Sequence, residues 1–356
     1  MGEILGITIS DFPFHRFKPQ YEAGVIQGNQ ARGWTDKPEL NDPKTWSKDM
    51  QDLWGKDQGW SEGTRLQNTQ IEQFRKVRAA LDEFKPDAIA LIFRDLGEAW
   101  GPAQDPASPR PKYWLHLEDA KDVKLYTLFG MRENYFEEDP DKVDRITFHR
   151  QATQHLIDAL KKDAPVAPEV MTAPKTPLGM GHNFLAGVVH TDWDNRKFQT
   201  PLIGIGVDPF GFGRIRNNEG LTPWDKTATP PLTPKEAFEV GRAIARAIKA
   251  SPWKIALVAD VDWSHANDHA RSAYKIAPDV EADRKRFQEW QAGDFTKWGD
   301  NWTFDEMEEH AQWQLLVTII LAGAMTEAGA KIKYAHFQEG TQIFNDGMVT
   351  TVFEPK

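Results

Sequence analysis

The chain has 356 residues, 40% of them hydrophobic and 27% charged, so it is long enough to bury a large core. A formal net charge of -10 without any dense basic cluster excludes a phosphate-backbone binder, and no nucleic-acid partner is expected. There is no cysteine, which rules out disulfides, thiolate metal sites and a cysteine nucleophile.

Short apolar runs alternate with amphipathic segments, the pattern of an α/β protein with a central mixed sheet flanked by helices. Residues 4–10 predict the first strand, and a loop rich in Trp, Gly, Pro and Asp is expected from Asp11 to about Gly63. Ile71, Phe74, Val77, Leu81 and Phe84 then fall on one stripe and predict a helix over 65–84. Pro86 closes it, and the apolar run 88–93 predicts a buried strand. A long irregular insert is expected over about 97–144, with prolines at 102, 106, 109 and 111, of the kind that serves as a lid or an interface arm.

A helix over 148–162 and a strand over 166–171 follow, and Gly179-Met180-Gly181-His182 opens a further short helix. Residues 202–207 read as a buried strand. Thr233-Pro234-Lys235-Glu236 is a capping box with proline at the first helical position, predicting a helix to about Ala250. The strand over 254–260 ends against Trp263-Ser264-His265, and a second capping box, Thr303-Phe304-Asp305-Glu306, heads a helix expected to end near Gly329. One or two closing strands lie between 331 and 353. No polar linker divides the chain, so one catalytic domain over 1–356 is expected. The longest apolar run, 315–325, is too short to cross a bilayer, and no basic leader precedes an apolar region, so a cytoplasmic protein without membrane contact is expected.

Ligands of α/β sheets collect beyond the carboxyl ends of strands, and Asp11, Asp95, His182 and His265 fall at such ends. Nothing matches a phosphate loop, a dinucleotide fingerprint, a nucleophile elbow or a zinc-protease helix. Imidazole moves protons in both directions near neutral pH, which makes His265 and His182 the candidate acid–base residues. Each candidate has a plain structural alternative. Asp11 can cap a turn, Arg94 can pair with Glu98, and His190-Thr191-Asp192-Trp193-Asp194 reads as a loop after a short helix. His310 and Gln314 would share a face of the helix expected there.

At these strand ends the chain resembles the class III extradiol ring-cleavage dioxygenase superfamily, of the protocatechuate 4,5-dioxygenase β-subunit type. Gly6-Ile7-Thr8-Ile9-Ser10-Asp11-Phe12-Pro13 resembles the family's opening Gly-Ile-Thr-x-x-His-x-Pro, and Pro86-Asp87 with residues 88–96 is similar to its strand ending in Asp-His. Trp263-Ser264-His265 resembles the Ser-His that supplies its catalytic histidine, and Gly179-Met180-Gly181-His182 a loop bearing a substrate-facing histidine. Residues 312–325 resemble the helix carrying its glutamate ligand, and residues 278–284 add a further match in the same order. The resemblance implies that family's fold and an Fe(II) site of two histidines and a carboxylate. Here those positions hold Asp11, Leu96 and Gln314, a set that grips iron poorly.

The expectation is therefore an enzyme of aromatic-compound catabolism that works on a phenolic or catecholic substrate by histidine acid–base chemistry, without cofactor and without oxidation. A C–C lyase, a decarboxylase or a hydrolase fits that description. His265 and His182 are its catalytic residues, and Asp11, Arg94, Asp95 and Gln314 its substrate-binding ones. One alternative is an Fe(II) dioxygenase with an unorthodox ligand set drawn from Asp11, His15 and Asp95. Another is a non-catalytic subunit of a heteromeric dioxygenase. The expected partners are a small aromatic substrate and either a second copy or a homologous subunit.

Overall fold

In the computed structural model the chain folds as mixed α/β. The structure describes residues 1–11, 18, 42–46, 48–95, 111–124, 135–139, 141–172, 187, 189–196, 200–208, 231–264, 279–340 and 346–356, the side chain of residue 308 excepted. Its strands are β1 (Glu3–Ile9), β2 (Ala88–Arg94), β3 (Tyr113–His116), β4 (Ala120–Lys124), β5 (Val143–Thr147), β6 (Glu169–Met171), β7 (Leu202–Val207), β8 (Lys254–Asp260), β9 (Ile332–Gln338) and β10 (Met348–Phe353). Eight of them make one sheet in the order β6-β3-β7-β2-β8-β1-β10-β9, while β4 and β5 pair separately. The central four, β7, β2, β8 and β1, are parallel, and β3 and β10 flank them antiparallel.

The central strands read as continuous apolar runs because both faces are covered. Along β2, Ala88, Ala90 and Ile92 enter one hydrophobic cluster, and Ile89, Leu91 and Phe93 the other. The second cluster is capped by the helix α2 (Trp60–Phe84), after α1 (Lys48–Trp54), through Ile71, Phe74, Val77 and Leu81. The first is capped by α3 (Arg150–Asp163), α4 (Pro234–Lys249) and α8 (Leu315–Ala328). Between the last two lie α5 (Val280–Ala292), α6 (Thr296–Asp300) and α7 (Phe304–Glu309). The Thr233 capping box is formed as its spacing predicts: Thr233 Oγ1 accepts from Glu236 N at 3.1 Å, and Thr233 N donates to Glu236 Oε2 at 2.8 Å.

Helices α4 and α8 pack backbone to backbone, which two glycines permit. A Cβ at Gly241 would land on the carbonyl of Ile320, and one at Gly323 on that of Phe238. Both helices run toward the amino end of β1: Lys249 Nζ donates to Ala328 O at 3.3 Å, and Gly2 N to Lys249 O at 3.2 Å. The amino ends of α4 and α8 therefore rise toward the carboxyl ends of the parallel strands.

Three expectations change. The insert over 97–144 is not irregular throughout: Tyr113–His116 is a main-sheet strand and Ala120–Lys124 pairs with Val143–Thr147. Four residues with both faces buried carry no periodic signal, and four prolines crowd the segment just upstream of them. The loop expected over 11–63 contains α1, and α2 already begins at Trp60. The single helix from the Thr303 box is two helices, α7 and α8. They are broken at Ala311, whose φ of 53° ends the first. That turn is held by its neighbours: His310 Nδ1 lies 2.9 Å from Asp279 Oδ2, and Gln312 Nε2 donates to Asp283 Oδ1 at 2.7 Å. His310 and Gln314 consequently share no helical face.

Candidate acid–base site at the carboxyl ends of the central strands

Parallel pairing sets the ends of the central strands side by side, with Ile9 opposite Asp260, Phe93 opposite Asp260, and Arg94 opposite Val207. The chain just beyond them stays buried, and it is polar: Ser10, Asp11, Arg94, Asp95, Asp260 and Asp262 are each at most 6% exposed. Val261 N donates to Ile9 O at 2.9 Å and carries the pairing one step further, which brings Asp262 beside Asp11.

Asp11 sits at the centre. Its Oδ1 accepts from the backbone N–H of Asp262 at 3.2 Å, and its Oδ2 lies 2.8 Å from Arg94 Nε. The Arg94 contact is an ion pair by distance, but the N–H is not aligned as a hydrogen bond. Asp262 Oδ1 accepts from Ser10 Oγ. Burial, the largest influence, and then the charge of Asp11 push the Asp262 carboxyl well above the usual carboxylate range, while Arg94 and Ser10 pull it back. Asp262 thus lies beside Asp11, which has the Arg94 guanidinium as its ionic partner.

Two arrangements frame this centre. Asp95 N donates to Val207 O at 2.6 Å, and its Oδ2 accepts from Trp114 Nε1 at 2.9 Å. Behind Asp260, at 3.7 Å from its Oδ1, stands Nδ1 of the fully buried His190, stacked on Phe74 with ring centroids 4.5 Å apart. Among the described residues the other fully buried imidazole is His116, at the end of β3, and burial pushes it down to about 3.

Beyond β8, Trp263 N donates to Gly347 O at 2.7 Å and Gly347 N to Ser264 O at 3.1 Å. Asp283 Oδ2 accepts from Ser264 Oγ at 2.6 Å and from Ser264 N at 3.3 Å. Ser264 is therefore fixed, and it immediately precedes His265. Gln314 takes the N-cap position of α8, 1% exposed, with neither amide atom bonded among the described residues.

Of the residues singled out from the sequence, the structure brings Asp11 and Arg94 into contact. It places Asp95 at the next strand end and Gln314 at the head of α8. His265, His182 and His15 lie outside the described residues, as do Leu96 and Glu98. Arg94 reaches Asp11, and Glu98, its alternative partner, lies outside the described residues. The sequence reading missed Ser10, Asp262, Asp283 and the His190–Asp260 pair. The alternation Asp260-Val261-Asp262 at the end of an apolar strand was the available signal for Asp260 and Asp262.

The described residues do not fit a ferrous ion. No group of three His, Asp or Glu side chains among them is placed to hold a metal. Asp11 has a guanidinium at 2.8 Å that would repel a dication, and Gln314 offers only a neutral oxygen. The chain matches no protein-family model and no curated protein sequence.

Proposed function

We propose that this chain is an acid–base enzyme of aromatic-compound catabolism, acting without metal or oxygen on a phenolic or catecholic substrate as a lyase, decarboxylase or hydrolase. Its fold is proposed to be of the class III extradiol dioxygenase type. The observation that carries the reading is the juxtaposition of the buried Asp262, whose carboxyl burial and Asp11 push upward, with the Asp11–Arg94 ion pair at the carboxyl edge of a parallel sheet. His265 follows the anchored Ser264 and takes the proton of a substrate hydroxyl. Arg94 stabilises the phenolate that results. Asp262 returns a proton to the ring or to the departing fragment, and Asp11 anchors the Asp262 backbone by accepting its N–H.

The test is turnover of a panel of catechols and hydroxybenzoates under nitrogen in the presence of a chelator. Activity should persist there and fall about 100-fold or more in His265→Ala and in Asp262→Asn. Stoichiometric iron after anaerobic purification, with oxygen uptake on a catechol, would establish the dioxygenase alternative instead.

A further inference from the structure

Met325 marks which face of α8 meets the sheet, since a Cβ added to Gly6 in β1 would strike its sulfur. Residues 314, 318 and 325 fall within about 40° of one another around a helix of 3.6 residues per turn. Gln314 and Thr318 therefore continue the sheet-facing stripe toward the amino end of α8. Going back from Met325 to Gln314, the helix rises about 16 Å at roughly 1.5 Å per residue. Going forward from Gly6 to Asp11, the strand covers about the same length at roughly 3.3 Å per residue. With α8 running toward the amino end of β1, Gln314 comes to the level of Asp11, and Thr318 to just below it.

Both side chains are buried, Gln314 at 1% and Thr318 at 0% exposure, and apart from Thr318 the helix is apolar from Leu315 to Met325. Among the described residues the amide nitrogen and oxygen of Gln314 and the hydroxyl of Thr318 have no hydrogen-bond partner. A buried polar group left unbonded costs about 1–3 kcal/mol, so two such residues on one stripe mark a place where a ligand completes the bonding.

We propose that Gln314 and Thr318 form a hydroxyl-recognising wall on the α8 side of the sheet, level with the carboxyl ends of β1 and β8, and that they orient a neutral hydroxyl of the substrate. An amide and an alcohol each donate and accept, which matches a hydroxyl, itself both donor and acceptor. A carboxylate only accepts, and would also meet Asp11 and its acidic neighbours. This inference rests on the phenolic reading above and specifies which substituent is read.

Calorimetric titration of wild type, Thr318→Val and Gln314→Leu with catechol, catechol dimethyl ether and benzoate tests it, alongside thermal unfolding without ligand. Wild type should bind catechol in preference to the other two. Each variant should weaken catechol binding about tenfold or more, one hydrogen-bonding group at a time, and leave the dimethyl ether unchanged. Ligand-free Thr318→Val should melt at or above the wild-type temperature, because a structural hydroxyl would lower it. Equal catechol affinity in all three proteins, no catechol binding by wild type, or a lowered melting temperature in Thr318→Val overturns the proposal. Weakened binding in the variants of a protein that turns nothing over would leave this inference standing and sink the catalytic reading; unchanged binding with intact turnover would do the reverse.

Discussion

Asp283 grips Ser264 twice, accepting from its hydroxyl at 2.6 Å and from its backbone N–H at 3.3 Å. The same carboxylate accepts from Gln312 at 2.7 Å. One buried side chain thus ties the segment leading to His265 to the turn leading to Gln314, two places that lie far apart in the sequence. Ser264 and Gln312 each stand close before a candidate site residue, so under the proposed function Asp283 would position both.

This carboxyl should make stability depend on pH. Burial, the dominant influence, raises it from 3.8 to about 6, against hydrogen bonds from Ser264 and Gln312 that lower it. The folded chain therefore binds more protons than the unfolded one between those values, and stability falls as pH rises. The contribution is fully present below pH of about 4 and is lost as pH climbs through about 6, amounting to roughly 3 kcal/mol. Asp283→Asn cannot titrate. Urea unfolding from pH 4 to 7 should show wild type losing stability relative to Asp283→Asn, and a constant difference across that window would refute the burial account.

Gly347 is where the same node tolerates no side chain. A Cβ there would press on Asp283 Oδ2, while the backbone on both sides is pinned to Trp263 and Ser264. Gly347→Ala should cost about 1–3 kcal/mol by overpacking. In an Asp283→Ala background the obstacle is gone and the added cost should shrink toward zero. Chemical denaturation of the four proteins of this cycle measures the coupling; additive costs would place the strain elsewhere.

The sheet was legible in the sequence wherever a strand was long, apolar and buried on both faces, as at Ala88–Arg94, Leu202–Val207 and Lys254–Asp260. The helix caps at Thr233 and the position of Asp11 at a strand end were legible for the same reason, since local chemistry dictates them. Tyr113–His116 was hidden because four buried residues carry no period, and the break at Ala311 because Asp279 and Asp283 impose it from another helix. Asp262 was missed on similar grounds. Its raised carboxyl comes from burial and from Asp11, which is 251 residues away in the chain.

Helix packing offers a test with a reversed sign. Gly→Ala inside a helix ordinarily stabilises by about 1 kcal/mol. At Gly241 and Gly323 the new methyl would meet a carbonyl of the opposite helix, so both substitutions should destabilise, and by more than any gain in helix propensity. Gly293 supplies the contrast. It ends α5 at φ 74° with open space around it, so Gly293→Ala should cost only the backbone strain of about 1 kcal/mol. Thermal unfolding that ranks Gly293→Ala below Gly241→Ala and Gly323→Ala would contradict the close approach of α4 and α8.

Arg94 and Asp11 act on Asp262 in opposite directions, and that opposition can be read in a pH profile. Arg94→Met leaves Asp11 buried without its cation and should cost about 3–5 kcal/mol, most of which the double variant Arg94→Met with Asp11→Asn should recover. The charge of Asp11 raises the Asp262 carboxyl and that of Arg94 lowers it. If protonated Asp262 is the acid, activity falls at high pH as its proton leaves. Asp11→Asn should then shift that basic limb of kcat/KM to lower pH, and Arg94→Met should shift it to higher pH. Both limbs moving the same way, or neither moving, would remove Asp262 from the reaction and leave the ion pair a structural brace at the strand ends.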